Sequence, residues 1–129
     1  MRDMSRTPRI GVVGAGALGF HHVRLLRDLP GARFAGFHEQ APARRAQVAA
    51  ELGVPAFETL DALLDACDAL TIVVPTPAHF AVARAALARG KHLLIEKPIT
   101  ATLAEADELL ALARANGALI QTGHVERFN

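Results

Sequence analysis

Cysteine is almost missing from this chain: among 129 residues, Cys67 is the only one. One thiol closes no internal disulfide and builds no cysteine cage for a metal. A lone thiol without a disulfide framework fits a reducing cytoplasm, which is the expected location. Long apolar runs are missing too. None approaches the roughly 18 residues that span a bilayer. The start, Met1 to Arg9, is polar, with Arg2, Arg6 and Arg9. Ile10 to Leu18 is glycine-rich and has no secretory cleavage pattern, so no signal peptide is expected. An excess of one charge is lacking: 14 Lys and Arg against 13 Asp and Glu leave a net +1. That balance supplies no electrostatic footprint for nucleic acid or an acidic membrane. The six histidines show no metal-ligand spacing such as HExxH, so no metal site is expected.

What is present is an ordinary globular composition, 51% hydrophobic and 21% charged. The length suits one domain with its own core. Short apolar runs alternate with longer helical segments. Ile10 to Val13 reads as a strand and Gly14 to Gly19 as a turn. Leu18, Leu25, Leu26 and Leu29 then repeat at helical spacing up to Pro30-Gly31. Phe34 to Phe37 predicts a second strand. A helix follows from Pro42 to the closing Gly53. Phe57 marks a brief third strand, and Thr59 caps a short helix through Ala66. Leu70 to Val74, with Thr71 to Val74 all β-branched, predicts a strand buried on both faces. Thr76 is placed to cap the next helix, with Pro77 at its first position and Gly90 past its end. His92 to Ile95 is another strand. Thr102 and Glu105 form a capping box for a helix that Gly117 ends. Ala118 to Thr122 is the last strand. Such alternation predicts an α/β fold, a doubly wound parallel sheet in a single domain.

Gly14-Ala15-Gly16-Ala17-Leu18-Gly19 is a GxGxxG that follows a strand and opens a helix. Gly14 makes the tight turn, Gly16 lets a pyrophosphate approach the backbone, and Gly19 lets helix and strand pack closely. The helix start offers free N–H groups and partial positive charge to phosphates. Glu39 lies 20 residues beyond Gly19, at the end of the second strand. There an acidic side chain accepts hydrogen bonds from ribose hydroxyls and repels a 2′-phosphate. The expected cofactor is therefore NAD rather than NADP, a preference that Arg44 and Arg45 would soften if they turned inward. Two alternatives stay open. The turn serves packing alone, with Glu39 a solvated charge, or the domain binds S-adenosylmethionine, whose enzymes share such a turn and acid.

Pro75-Thr76-Pro77-Ala78-His79 and Glu96-Lys97-Pro98, followed by Ile99-Thr100, sharpen the choice. With the glycine turn they resemble the glucose–fructose oxidoreductase and inositol 2-dehydrogenase family (Gfo/Idh/MocA). The resemblance runs from Arg9 to Asn129, and the Glu-Lys-Pro tripeptide is its most specific part. It implies a Rossmann dinucleotide domain, with hydride transfer to or from a hydroxyl-bearing carbon of a sugar, cyclitol or nucleotide sugar. The ending Gly123 to Asn129 is similar to members acting on nucleotide-linked amino sugars. The resemblance assigns the pyrophosphate to Gly14, Gly16, Ala17, Leu18 and Gly19, and the ribose to Glu39. Pro75, Thr76 and His79 line the crevice. Glu96 and Lys97 face nicotinamide and substrate. Pro98 fixes the following turn, behind a cis peptide. Lys97 is the catalytic candidate. Its ammonium would stabilise alkoxide character, or exchange a proton if burial lowered its pKa.

The family's second, α+β domain has no counterpart here. Residues 1–8 are therefore read as a flexible tail, 9–122 as the NAD(P)-binding domain and 123–129 as the start of a junction. The chain alone is expected to be inactive. A non-catalytic nucleotide-binding module is the runner-up, and self-association would cover the sheet face left bare. Blander readings hold elsewhere. His22 is taken for packing or capping and His38 for a surface histidine. His79 is divided between ligand contact and mere proximity. His124 and Glu126 either line the site or belong to a displaced tail. The arginines near Arg44 and from Arg84 to Arg89 read as solvated helix faces, and Cys67 as a small buried hydrophobe.

Overall fold

Val12 and Val13 are both buried, and successive side chains of a strand point to opposite faces. Their strand therefore needs cover on both sides. The structure is a computed structural model that describes residues 7–123. In it β1 (Arg9–Val13) leads through the glycine turn into α1 (Ala17–Asp28), followed by β2 (Arg33–His38) and α2 (Pro42–Leu52). Next come β3 (Ala56–Phe57), α3 (Leu60–Ala66) and β4 (Ala69–Ile72). A 3-10 turn (Thr76–Ala78) precedes α4 (His79–Ala88), β5 (His92–Glu96), α5 (Leu103–Ala115) and β6 (Ile120–Gly123). The sheet order is β3-β2-β1-β4-β5-β6, and every pairing is parallel. This is the doubly wound fold that the alternation predicts.

Val12 joins Val23, Phe37, Val48 and Leu52 in one core, against α1 and α2. Val13 joins Leu63, Leu64, Ile72, Leu87, Ile95 and Leu109 in the other, against α3, α4 and α5. Cys67 is fully buried in that second core, and burial pushes its thiol pKa up. Asp68 holds the start of β1: its carboxylate accepts from the Arg9 backbone at 2.8 Å and from the guanidinium at 3.1 and 3.3 Å.

Local chemistry sets most element ends. Thr59 and Thr102 each accept a backbone N–H at 3.1 Å, from Ala62 and Glu105, as N-caps do. Gly53, in the left-handed conformation at φ 64°, closes α2. Three expectations need correction. Thr76 caps nothing: its segment is the 3-10 turn, and α4 begins at His79 with no side-chain cap. The fourth strand ends at Ile72, because Val73 and Val74 peel away beside Gly14. Val73 keeps one bond, its N–H to the Val13 carbonyl at 2.8 Å. The last strand starts at Ile120 rather than Ala118, whose N–H instead closes α5 on the Ala113 carbonyl at 2.9 Å. Among the described residues, no helix is long and apolar enough to cross a membrane.

Candidate functional site

Strand order reverses between β1 and β4, and open α/β sheets bind ligands beyond the carboxyl ends of strands at that point. Two clefts meet there. One, of about 330 Å³, is lined by Gly14, Gly16, His38, Glu39, Gln40, Leu60, Val73, Val74, Pro75 and Val82. The other, of about 350 Å³, is lined by Gly16 to Gly19, Val73 to Thr76, His79, Glu96 and Lys97. Gly16, Val73, Val74 and Pro75 border both, so the two form one trough across the strand ends.

The glycine turn forms the middle of that trough. Gly14 is buried at φ 101°, and a Cβ there would collide with the Val73 carbonyl. A Cβ on Gly19 would collide with the Gly14 carbonyl, which brings α1 hard against the turn. At Gly16 a Cβ would meet no protein atom within 4 Å and would project into open space. The α1 N-terminus carries no side-chain cap, and Gly16, Ala17 and Leu18 are exposed. First-turn N–H groups have no intrahelical acceptor, so this end is free to receive an anion. An exposed methyl-sized gap with unspent donors beside it fits a pyrophosphate.

Glu39 is tied to the turn rather than freely solvated. One carboxylate oxygen accepts the Ala15 N–H at 2.8 Å and the other accepts the Ala41 N–H at 2.9 Å. The two arginines behind it do turn inward, against their reading as a solvated face. Arg44 Nε donates to the Ala15 carbonyl at 2.7 Å, with its guanidinium 5.7 Å from the Phe20 ring centroid. Arg45 donates to the Glu39 carbonyl at 2.8 Å. His38 is half-buried, bonded to the Phe57 carbonyl at 2.8 Å, and lines the trough, so it is more than a surface residue. Helix periodicity gives no hint of where an arginine tip swings, and the walls from Leu60 and Val82 are apolar residues that belong to none of the site motifs.

At the other end, Lys97 follows β5 and is exposed at the rim. The Lys97–Pro98 peptide is cis, as expected. Glu96 is half-buried beside Gly123. His22 packs half-buried on α1, where burial lowers its pKa against the opposing pull of Glu96. His79 departs most from a ligand-contact role. It is 3% exposed, and both ring nitrogens meet backbone carbonyls. Outside the trough, Arg84 pairs with Glu108, and Arg89 bridges Asp61 and Asp65 at 2.9–3.1 Å. These arginines tie neighbouring helices together. His124 and Glu126 lie outside the described residues.

Comparison with known proteins points to one family. A UDP-N-acetylglucosamine 3-dehydrogenase from Acidithiobacillus ferrooxidans is 43% identical over 119 residues, which cover 92% of this chain and 37% of that enzyme. Its solved structure superposes with a TM-score of 0.85 at 41% identity, covering 95% of this chain and 40% of the other. An inositol 2-dehydrogenase from Saccharopolyspora erythraea is 38% identical, over 95% of this chain and 38% of its own length. A biliverdin reductase from Synechocystis, solved with biliverdin and NADP+, is 30% identical with a TM-score of 0.85, over 93% of this chain and 39% of its own. The chain thus spans somewhat over a third of the length of these relatives. The family model for Gfo/Idh/MocA oxidoreductases, described as an NAD-binding Rossmann fold, matches residues 8–124. With that match the S-adenosylmethionine alternative falls away, and the chain belongs to the Gfo/Idh/MocA oxidoreductase family as its NAD-binding domain.

Proposed function

We propose that the trough holds NAD(H) in extended form, and that the domain serves hydride transfer at a hydroxyl-bearing carbon of a sugar, cyclitol or nucleotide sugar. The observation that carries this reading is Gly16, whose missing side chain joins the two clefts into one. The pyrophosphate would lie over Gly14, Gly16 and Gly19, against the N–H groups of Ala17 and Leu18. The adenosine ribose would meet Glu39, whose oxygens each keep acceptor capacity beyond the one N–H they hold. The nicotinamide would lie toward Pro75, Thr76, Glu96, Lys97 and Pro98. Bound NAD supplies the hydride acceptor or donor. Lys97 would hold a substrate oxygen and stabilise negative charge that grows there. The substrate classes follow the dehydrogenases named above, and substrate contacts would come from further chain.

NAD is favoured over NADP by the Glu39 carboxylate, which would face a 2′-phosphate. Arg44 and Arg45 on the same rim oppose that preference, and the biliverdin reductase named above was solved with NADP+. Calorimetric titration of the chain with NADH and with NADPH tests the reading. Tighter binding of NADH is expected, equal affinities would reject the preference, and no binding of either would reject the site as assigned. Self-association belongs to the proposal, since Leu25, Leu29 and Leu119 are 60, 49 and 71% exposed. A monomer at all concentrations in sedimentation would reject it. A reducing, cytoplasmic setting fits the free, buried Cys67.

A further inference from the structure

Lys97 stands on a segment with little to hold it. Residues 97–101 run from the end of β5 to Thr102, the cap of α5. β5 stays paired with β6 up to Glu96 and Gly123, and beyond that ladder the loop bonds among the described residues include none from 98 to 101. The Thr100 hydroxyl donates to the Thr102 carbonyl at 2.6 Å, which orders its far end only. After the ladder, the turn at Pro98 and Ile99 meets one side chain. His79, the first residue of α4, places Nδ1 3.1 Å from the Pro98 carbonyl and 3.1 Å from the Ile99 carbonyl. Its Nε2 lies 2.8 Å from the Val74 carbonyl. The ring is 3% exposed, so these contacts are shielded from water.

We infer that His79 is a positioning residue for Lys97. With its proton on Nδ1, the imidazole ties the turn directly behind the lysine to the start of α4, while Nε2 packs beside the segment leaving β4. The inference rests on the proposed role of Lys97 at the nicotinamide end. A buried histidine that donates to a carbonyl is ordinary core chemistry, and a neutral ring donates through one nitrogen only. What sets this one apart is where the carbonyls lie: one and two residues after Lys97, and on Val74, which lines the same trough. Without the Nδ1 contact, the lysine would sweep a range of positions. Its electrostatic effect depends on a fixed distance to the developing charge.

Lys91 and Lys97 are the only lysines in the chain. Selective 13C-lysine labelling therefore yields two Cε signals, assigned with Lys97→Arg, and Lys91 at the opposite end of β5 serves as the control. NADH is expected to shift the Lys97 signal and leave Lys91 in place. Two variants then divide the ring. His79→Asn keeps a donor near the place of Nδ1 and is expected to retain the Lys97 shift. His79→Gln keeps one near Nε2 and is expected to move the free Lys97 signal toward its unstructured position, with NADH binding about tenfold weaker, one hydrogen bond's worth. A wild-type Lys97 response in His79→Gln would overturn the inference. A test without substitution uses 15N spectra of the intact chain. A proton on His79 Nδ1 is expected, and an unprotonated Nδ1 would overturn the inference even if every variant failed to fold. If NADH moved neither lysine in the wild type, the cofactor assignment would fall. The Nδ1 proton and the free Lys97 signal would still judge the tether.

Discussion

Gly16 and Gly19 stand three residues apart and would answer the same added methyl group in opposite ways. At Gly19 the methyl collides with the Gly14 carbonyl, a backbone atom that cannot swing aside. Gly19→Ala is expected to destabilise the domain by about 1–3 kcal/mol, the range for overpacking, and thermal melting reads it directly. At Gly16 the methyl enters open space, so Gly16→Ala is expected to leave the melt within about 0.5 kcal/mol of wild type. The same variant is expected to weaken NADH binding, because the group it crowds is the ligand. Equal losses of stability in the two variants would contradict the division. Glu39 carries a matching prediction. Glu39→Ala is expected to weaken NADH binding by about 1–3 kcal/mol, the scale of a hydrogen bond to a charged group. An unchanged calorimetric affinity would remove it from the ribose site. These residues were legible because each has a task that few residue types perform, at a spacing bound to a strand–turn–helix unit. Arg44 was not. Its position on a helix was clear, yet its tether to the Ala15 carbonyl depends on how α2 lies against the turn.

Helix starts show how far local rules reach. Thr59 and Thr102 cap their helices as the spacing predicts, because an N-cap needs only the two or three residues that follow it. Thr76-Pro77 carries the same signal and fails. Pro75 and Pro77 flank the threonine, the chain takes a 3-10 turn, and α4 starts three residues later. Thr102→Ala is therefore expected to cost about 1 kcal/mol in a urea melt, whereas Thr76→Ala gives up no capping bond. A loss at Thr76 equal to that at Thr102 would show that the threonine does cap in solution. The strands behave alike. The β-branched run through Val74 has strand propensity throughout, yet Val73 and Val74 leave the ladder. Gly14 needs the room where Val73 turns, and propensity yields to that close approach.

The whole molecule is more thickly covered on one face. Core residues of β4 and β5 such as Leu70, Ile72, Leu93 and Ile95 turn toward α3, α4 and α5, while Leu94 on β5 is only half-buried. His22 is expected to make the global stability depend on pH. Burial holds its pKa below the ordinary 6.5, with Glu96 pulling it up and His21 pushing it down. The unfolded chain then binds a proton that the folded chain resists. The stability this group contributes is present above about 6.5 and is lost as pH falls from there through the folded pKa. Melting temperature is expected to drop over that window, and His22→Leu is expected to flatten the drop. An identical slope in the variant would assign the effect to other groups.

The sequence by itself determined the fold class, the order of strands and helices, the glycine turn, the acid that follows it and the Glu-Lys-Pro segment. These are carried by periodicity and by residues whose backbone or charge has few substitutes. Only the tertiary structure decided which side chains share a wall. Leu60 and Val82 line the trough, two arginines turn inward, and a buried histidine sits against the carbonyls of Val74, Pro98 and Ile99. The physical reason is range. Helix, strand and cap signals act over a few neighbouring residues. The rotamer of a long or buried side chain is set by atoms that come close only when separate elements pack.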